Sequence, residues 1–221
     1  EVISTAYQSL SDEYKTLPLI VLGHSMGSFV ALHALAEDAL SPQAVVCLGS
    51  ASIHPVLGHF AQGVAKLMSV VRGEQRSATL LHYLVFSGYN KGFDPIVSDY
   101  DWLSSDPIEC QKYLADAHCG QVPSNRFFYH LFKSFGQLKD KEFIQKIPKD
   151  IPLLFLSGDA DPLSKGGASV DSLVDSYKEA GIQDISFERI TEQRHELLHD
   201  TKRSETIEQI LSWIQGQLKK K

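Results

Sequence analysis

The sequence predicts an α/β protein whose sheet is mainly parallel. Short, almost continuous apolar runs occur at 17–22, 44–49 and 151–158, and buried parallel strands have this pattern. Apolar residues at helical spacing follow the first and the third run. Strand and helix alternate in this way at both ends of the chain, which is typical of a parallel sheet with connecting helices.

The individual elements follow from the same two periodicities. A stripe from Val2 to Leu10 predicts a first helix, and the runs at 17–22 and 44–49 enclose a helix predicted over 29–40. The helix predicted over 170–180 ends at Gly181, a residue type that commonly terminates helices. Alternation over 185–190 predicts a strand near an edge of the sheet. A last helix is predicted over 207–218, with Lys219–Lys221 as its solvated end.

Residues 52–149 interrupt this alternation. The segment is helical or irregular, contains no clear buried strand and is rich in aromatic side chains. A solvated linker would not carry so many large apolar groups. We therefore expect 1–51 and 150–221 to form the core of the fold, and 52–149 to form a helical cap inserted over the active edge of the sheet.

Composition excludes several classes of protein. The 221 residues suffice for one domain with a large insertion, and 43% hydrophobic with 22% charged residues are values of a soluble globule. The net charge of -6 disfavours nucleic acid as a partner. Three cysteines argue against a disulfide framework, and no apolar run reaches the ~20 residues that span a bilayer. We expect a cytoplasmic protein without a transmembrane segment.

The segment Gly23–Gly27 has the pattern Gly-x-Ser-x-Gly and lies between a predicted strand and a predicted helix. In that context the pattern predicts a nucleophile elbow, a turn tight enough to force its serine into an unfavourable backbone conformation. We expect glycine on both sides because side chains at these positions would collide. The turn would hold the hydroxyl of Ser25 above the sheet, over a helix N-terminus.

A serine hydroxyl needs a histidine to accept its proton and a carboxylate to orient that histidine. After an elbow of this kind, the carboxylate and then the histidine are expected on loops that follow later strands. The run at 151–158 leads into Asp159 and Asp161. We prefer Asp161 as the carboxylate, because Asp159 fits a loop or capping residue. The strand at 185–190 leads into His195, our predicted base.

A second pattern covers the same histidine. His195, Glu196 and His199 satisfy His-Glu-x-x-His, in which two histidines one helical turn apart bind zinc and the glutamate acts as a base. This alternative requires a helix through both histidines and a third ligand, for which Asp200 and Glu205 are the nearest candidates. It also leaves the elbow without a role. A zinc hydrolase stays open as an alternative at this point.

Three segments together resemble motifs of the α/β-hydrolase family: Gly23–Gly27, Ser157–Pro162 and Arg194–Leu198. Within that family, the chain is most similar to bacterial lysophospholipases and monoacylglycerol lipases. The segments Tyr89–Phe93 and Tyr100–Ser104 resemble the cap of this branch. The resemblance extends over essentially all of the chain and implies an α/β-hydrolase fold with a helical cap.

The resemblance also implies a catalytic triad of Ser25, Asp161 and His195, with the amide of Met26 as one oxyanion donor. It implies a serine ester hydrolase that cleaves single-chain acyl lipids, either monoacylglycerols or lysophospholipids, through an acyl-enzyme on Ser25. No metal or organic cofactor is expected. The expected partner is a small acyl ester or lipid, and the cap is the expected place of any peripheral contact with a membrane.

One feature of the family has no counterpart in this sequence. The second oxyanion donor comes from a loop upstream of the nucleophile, whereas only Glu1–His24 precede Ser25. We therefore expect the first strands of the sheet to be missing, an unpaired apolar edge beside the elbow strand, and weak turnover by this chain alone. We favour part of a longer enzyme over a remnant that pairs with another chain. A non-catalytic binding protein of the same fold is a further alternative.

Overall fold

The structure is a computed structural model that describes residues 2–220; Lys221, which belongs to the predicted lysine-rich helix end, lies outside the described residues, as does Glu1. Its strands are β1 (Ile20–His24), β2 (Ala44–Leu48), β3 (Leu153–Gly158) and β4 (Ile185–Ile190). Its α-helices are α1 (Val2–Glu13), α2 (Met26–Ala36), α3 (Pro55–Arg72), α4 (Thr79–Phe86), α5 (Pro107–Ala115), α6 (Asn125–Gln137), α7 (Lys141–Lys146), α8 (Ala168–Glu179) and α9 (Arg203–Lys219). A 3₁₀ turn covers Leu197–His199.

The four strands form one parallel sheet in the order β1-β2-β3-β4. In its register Ile20 lies beside Ala44, and Leu153 lies beside Ile185. The predicted α/β class with a parallel sheet is confirmed, and each predicted strand is present. Because all strands run in the same direction, their carboxyl ends meet at one edge, where ligands gather in open α/β sheets.

Both faces of the sheet are covered, which explains the uninterrupted apolar runs of its central strands. Every residue of β2 and β3 is buried. Val45 and Cys47 belong to one apolar cluster with α2 and α8. Val46 and Leu48 belong to a second cluster with α9. Successive residues of a strand point to opposite faces, so a strand covered on both sides must be apolar throughout.

β1 forms one edge of the sheet and, among the described residues, pairs with β2 alone. Leu22 in this strand is 45% exposed, and α1 buries none of its residues. Unpaired strand edges with apolar side chains are ready to pair with another strand. The structure therefore contains the exposed edge that the sequence predicts beside the elbow.

The insertion between β2 and β3 contains α3 to α7 and, within residues 2–220, has no β-pairing beyond an isolated bridge between Ser77 and Ser124. Helices α3 and α6 cross closely at two glycines. A Cβ added at Gly58 would lie 2.5 Å from the Cα of Gly136. Side chains of α3, α4 and α6 enclose Phe128 in a small separate core. The division of the chain into a core and a cap stays a prediction.

The helix predicted over 29–40 begins earlier and ends earlier than expected. It starts at Met26, directly after the elbow, and ends at Ala36. Shortly beyond it, Asp38 has a φ of 55°, a left-handed conformation that terminates helices. Of the helices described in residues 2–220, none combines the length and hydrophobicity that a membrane span requires.

Candidate active site

A single residue, Ser25, connects the end of β1 to the start of α2. Its φ of 52° lies in the left-handed region, which is unfavourable for any residue with a side chain. Gly23 permits this turn, because a Cβ there would lie 2.4 Å from the carbonyl oxygen of Gly27. The expectation for Gly27 is wrong, since an added Cβ would meet no atom within 4 Å. Gly27 already belongs to α2, and it is close to Gly23 through its backbone and not through the place of a side chain.

Hydrogen bonds hold the elbow to the centre of the sheet. The amide of Ser25 donates to the carbonyl of Leu48 over 2.8 Å. The buried hydroxyl of Ser28 donates to the carbonyl of Ser25 over 2.6 Å and lies 2.9 Å from the hydroxyl of Ser50. These hydrogen bonds hold the strained turn against the sheet and keep the Ser25 hydroxyl in place above the strand ends.

The structure brings Ser25, His195 and Asp161 together at the carboxyl edge of the sheet. Nε2 of His195 lies 2.9 Å from Oγ of Ser25, and Nδ1 lies 3.1 Å from Oδ2 of Asp161. The side chains of His195 and Asp161 are 2% and 0% exposed. The other oxygen of Asp161 accepts a hydrogen bond from the amide of Leu163 over 2.9 Å. Asp159 is exposed and accepts a hydrogen bond from a backbone amide of the neighbouring loop instead.

The structural requirement of the zinc alternative is not met. His195 lies in a loop, and only Leu197–His199 form a turn of 3₁₀ helix, so no helix runs through both histidines. The exposed ring of His199 lies 3.2 Å from the carboxylate of Glu196, whereas the buried ring of His195 contacts Asp161 and Ser25. In the part of the chain that the structure describes, no group of three potential metal ligands is present.

The loop that carries His195 is hydrogen bonded to the insertion. The amide of His195 donates to the carbonyl of Trp102 over 3.4 Å, and the amide of Glu196 donates to the carbonyl of Leu103 over 2.7 Å. The rings of Trp102 and His195 are in contact, with 5.1 Å between their centroids. These contacts join positions more than ninety residues apart, so no local pattern in the sequence reveals them.

Asp200, considered above as a zinc ligand, organises this loop from within. Its carboxylate is fully buried and accepts hydrogen bonds from the amides of Arg194 (2.7 Å), Ser105 (3.0 Å) and Thr201 (2.7 Å). The guanidinium group of Arg194 donates to two carbonyls of the insertion and lies 4.0 Å from the centre of the Phe93 ring. Sequence reasoning missed this role because a buried loop carboxylate has no distinctive pattern.

Two further side chains beside the site are neutral near pH 7. Nε2 of His24 lies 3.2 Å from the carbonyl of His195. Burial lowers the pKa of His24, and the carboxylate of Glu196, 3.8 Å from its Nδ1, only partly opposes this. Burial, together with the charge of Asp161, raises the pKa of Tyr89 to about 12. His24 therefore adds no positive charge next to the imidazole of His195.

A cavity of about 750 Å³ contains Ser25 and His195 in its wall. This volume is within the range of small-molecule sites in proteins. Its lining is largely apolar and comes mostly from the insertion. Six phenylalanines contribute to it: Phe29, Phe86, Phe127, Phe128, Phe132 and Phe135. Polar side chains such as Asn90, Asp99 and Gln121 occupy other parts of the wall. A ligand with a long apolar part and a small polar part fits such a lining.

The geometry is suited to nucleophilic attack on a carbonyl group. The hydroxyl of Ser25 lies within proton-transfer distance of His195, and the buried carboxylate of Asp161 can hold the tautomer and stabilise an imidazolium ion. Met26 is the first residue of α2, so its amide is one of the initial N–H groups of the helix, which have no intrahelical acceptor. Such groups favour a negative charge beside them.

Comparisons with known proteins agree with this architecture. A model of the family described as serine aminopeptidase, S33, matches residues 3–202. A search of curated proteins found no match.

Several solved structures share the fold. A thermostable carboxyl esterase from Bacillus coagulans, in complex with glycerol, has a TM-score of 0.87 and 23% identity, over 96% of this chain and 69% of that one. A monoacylglycerol lipase from Paleococcus ferrophilus has a TM-score of 0.69 and 18% identity, over 97% and 74%. A soluble variant of monoglyceride lipase from Saccharomyces cerevisiae has a TM-score of 0.74 and 17% identity, over 97% and 68%. At such identities the likeness shows the α/β-hydrolase fold alone.

Proposed function

The chain belongs to the serine aminopeptidase S33 family of α/β-hydrolases, and on that basis we propose that it is a serine ester hydrolase. The observation that carries the proposal is the continuous pair of hydrogen bonds from Ser25 through His195 to Asp161, 2.9 and 3.1 Å long. Three side chains of these types, at this spacing and beside a cavity, form the arrangement that acyl transfer requires.

In the proposed reaction, Ser25 attacks the ester carbonyl while Nε2 of His195 takes the proton from its hydroxyl. The negative charge that develops on the carbonyl oxygen faces the amide of Met26. His195 then donates the proton to the leaving alcohol, which departs and leaves the acyl group on Ser25. Water, deprotonated by His195, releases the acid. Asp161 orients the imidazole throughout.

The substrates that we propose are single-chain acyl lipids, either monoacylglycerols or lysophospholipids. The apolar cavity beside Ser25 supports this choice, because its phenylalanines can enclose an acyl chain whose ester lies at the nucleophile. Two of the similar structures are named monoacylglycerol or monoglyceride lipase. The family description names an aminopeptidase, and a largely aromatic wall is better suited to an acyl chain than to a peptide backbone.

We further propose that residues 1–51 and 150–221 form the hydrolase core and that residues 52–149 form a cap, which supplies most of the cavity wall. Contact with a lipid surface would take place through this cap. The cytoplasmic location stays a prediction. With Met26 as the one oxyanion donor that the elbow supplies, we expect slow turnover by the chain, because one missing donor typically costs ~10²–10³ in kcat.

A fluorophosphonate probe tests the proposed nucleophile. We expect the probe to label the 221-residue protein at Ser25, the Ser25→Ala variant to remain unlabelled, and a chelator to have no effect. Ser87→Ala is the matched control, because Ser87 is another serine of the cavity wall, is more exposed than Ser25, and makes no hydrogen bond to a histidine in the described structure. Labelling that survives in Ser25→Ala, or that a chelator abolishes, would contradict the proposal.

Substrate profiling tests the proposed acyl lipids. Hydrolysis rates are compared among monoacylglycerols of increasing chain length, a lysophosphatidylcholine, short nitrophenyl esters and aminoacyl amides. We expect kcat/KM to rise with acyl length. A preference for acetyl esters or aminoacyl amides would overturn the substrate assignment. Absence of probe labelling, together with retained binding of a fluorescent fatty acid, would instead favour the non-catalytic binding protein.

A further inference from the structure

Helix α3 exposes most of its large apolar side chains to solvent, and the residues that it fully buries are small. The residues that it buries are Gly58, Ala65 and Ser69. Its solvent face carries six apolar side chains that are 56–76% exposed: Val56, Leu57, Phe60, Leu67, Val70 and Val71. At 100° per residue these six occupy one arc along the whole helix. Contiguous exposed apolar surface of this kind indicates an interaction site.

The next helix, α4, also exposes apolar side chains, and one of them lines the cavity. α4 contributes to the same apolar cluster as α3, and its Leu80, Tyr83 and Leu84 are 44%, 66% and 64% exposed. Tyr83 also lines the cavity that contains Ser25, and so does Ile96, which is 57% exposed. The exposed apolar side chains of α3 and α4 are here called the docking face, and its Tyr83 lies at the rim of the cavity.

The charge of this region is opposite in sign to that of the rest of the chain. Between the start of α3 and the end of α4, residues 55–86 contain three basic side chains, Lys66, Arg72 and Arg76, and one acidic side chain, Glu74. Their net charge is +2, whereas the whole chain carries -6 and the remainder therefore -8. Neither helix contains a carboxylate. A negatively charged surface would attract this region and repel the rest of the molecule.

We propose that the docking face binds the surface of an anionic phospholipid bilayer and turns the cavity entrance toward the membrane. An apolar helical stripe whose own helices carry basic and no acidic side chains is suited to the boundary between headgroups and acyl chains. A second copy of the chain is a poorer occupant, because two copies of residues 55–86, each with a net charge of +2, would repel each other. The proposal rests on the proposed function, in that the bilayer would be the source of the acyl lipid.

Vesicle flotation of the Ser25→Ala variant tests this proposal without hydrolysing lipid. Vesicles of phosphatidylcholine alone are compared with vesicles of phosphatidylcholine and phosphatidylglycerol. We expect tighter binding to the anionic vesicles, weakened by salt. Adding Phe60→Ser and Leu67→Ser is expected to weaken binding at least about 10-fold. Adding Lys66→Gln and Arg72→Gln is expected to weaken it about 30-fold.

Matched controls separate docking from folding and from catalysis. Ile207 and Leu211 of α9 are also exposed apolar residues, at 43% and 51%, and their replacement by serine should leave vesicle binding unchanged. In chains that retain Ser25, the α3 variants should keep the probe labelling of the parent, because no replaced side chain reaches the site. If the parent is not labelled but its vesicle binding depends on α3, docking stands and the proposed function fails.

Three results would overturn the docking proposal. The first is equal binding to neutral and anionic vesicles. The second is equal loss of binding in the α3 variants and the α9 controls. The third is a concentration-dependent dimer that the α3 variants dissociate, without binding to vesicles, which would assign the docking face to a second copy.

Discussion

Replacing Asp200 by asparagine tests whether the loop that carries His195 depends on this buried carboxylate. Oδ1 of Asp200 accepts hydrogen bonds from the amides of Ser105 and Thr201, and Oδ2 accepts one from the amide of Arg194 over 2.7 Å. Asparagine retains one oxygen, which can serve the first two amides. Its NH₂ group then faces the amide of Arg194, so that two donors meet and neither has an acceptor.

The expected loss of stability follows from these contacts. A hydrogen bond to a charged group contributes about 1.5–3 kcal/mol, and a buried donor without an acceptor costs about 1–3 kcal/mol. Because the two terms overlap, we expect the free energy of unfolding to fall by about 3 kcal/mol, which lowers the Tm by about 6–12 °C in a chain of this size. The amide of Arg194 precedes His195 directly, and a displacement of about 1 Å in a catalytic group can cost ~10² in rate.

Urea unfolding and the rate of fluorophosphonate labelling measure the two effects. Asp159→Asn is the matched control, because Asp159 is exposed, lies at the same edge of the sheet and accepts one amide hydrogen bond. We expect this control to lose less than about 1 kcal/mol and to be labelled at the parent rate. If Asp200→Asn were as stable as Asp159→Asn and reacted equally fast, the assigned role of Asp200 would be refuted.

Three further predictions concern the elbow and the proposed triad. Gly23→Ala is expected to destabilise the protein by about 3 kcal/mol, since its Cβ would meet backbone at 2.4 Å, whereas Gly27→Ala, with open space inside a helix, should stabilise it by up to about 1 kcal/mol in thermal unfolding. Asp161→Asn is expected to lower kcat by about 10⁴ with little change in KM, while Asp159→Asn leaves kcat unchanged in ester hydrolysis. Burial lowers the pKa of His24 below the value of about 6.5 in the unfolded chain, so the unfolded state binds the proton more readily. Stability should therefore fall as the pH decreases below about 6.5, and His24→Asn should flatten that decline in urea unfolding at a series of pH values.

Each of these predictions has a result that would contradict it. Equal stability of the two alanine variants would show that the turn does not depend on the space at Gly23. A similar loss of kcat in Asp159→Asn and Asp161→Asn would remove the preference for Asp161. An unchanged pH profile of stability in His24→Asn would show that another group causes the loss of stability at low pH.

The order of elements and the three proposed catalytic residues could be predicted because their signals are local. β2 and β3 are covered on both faces, which forces continuous apolar runs. The elbow needs a small residue at Gly23, and Asp161 lies three residues beyond the end of a buried strand. The start of α2 at Met26 was less visible, because its first turn, Met-Gly-Ser, carries little of the apolar periodicity that begins at Phe29.

Other features depend on contacts between distant parts of the chain. Asp200 was considered only as a metal ligand, because its burial against Ser105 arises from the way the insertion folds back on the histidine loop. The close crossing of α3 and α6 depends on Gly58 and Gly136, which are far apart in sequence and belong to no motif. The need for glycine at position 27 was overestimated, since the pattern shows which residues flank the serine and not which of them is crowded.

The hydrogen bonds between the insertion and the histidine loop limit how this protein can be redesigned. Exchanging residues 52–149 for the corresponding part of another α/β-hydrolase would change most of the cavity wall. Such an exchange would also replace the segment that positions the backbone carbonyls of Trp102 and Leu103, which accept hydrogen bonds from the amides of His195 and Glu196. A chimaera should therefore keep Asp101–Ser105 together with the loop that carries His195. The recombination points should lie outside residues 101–105.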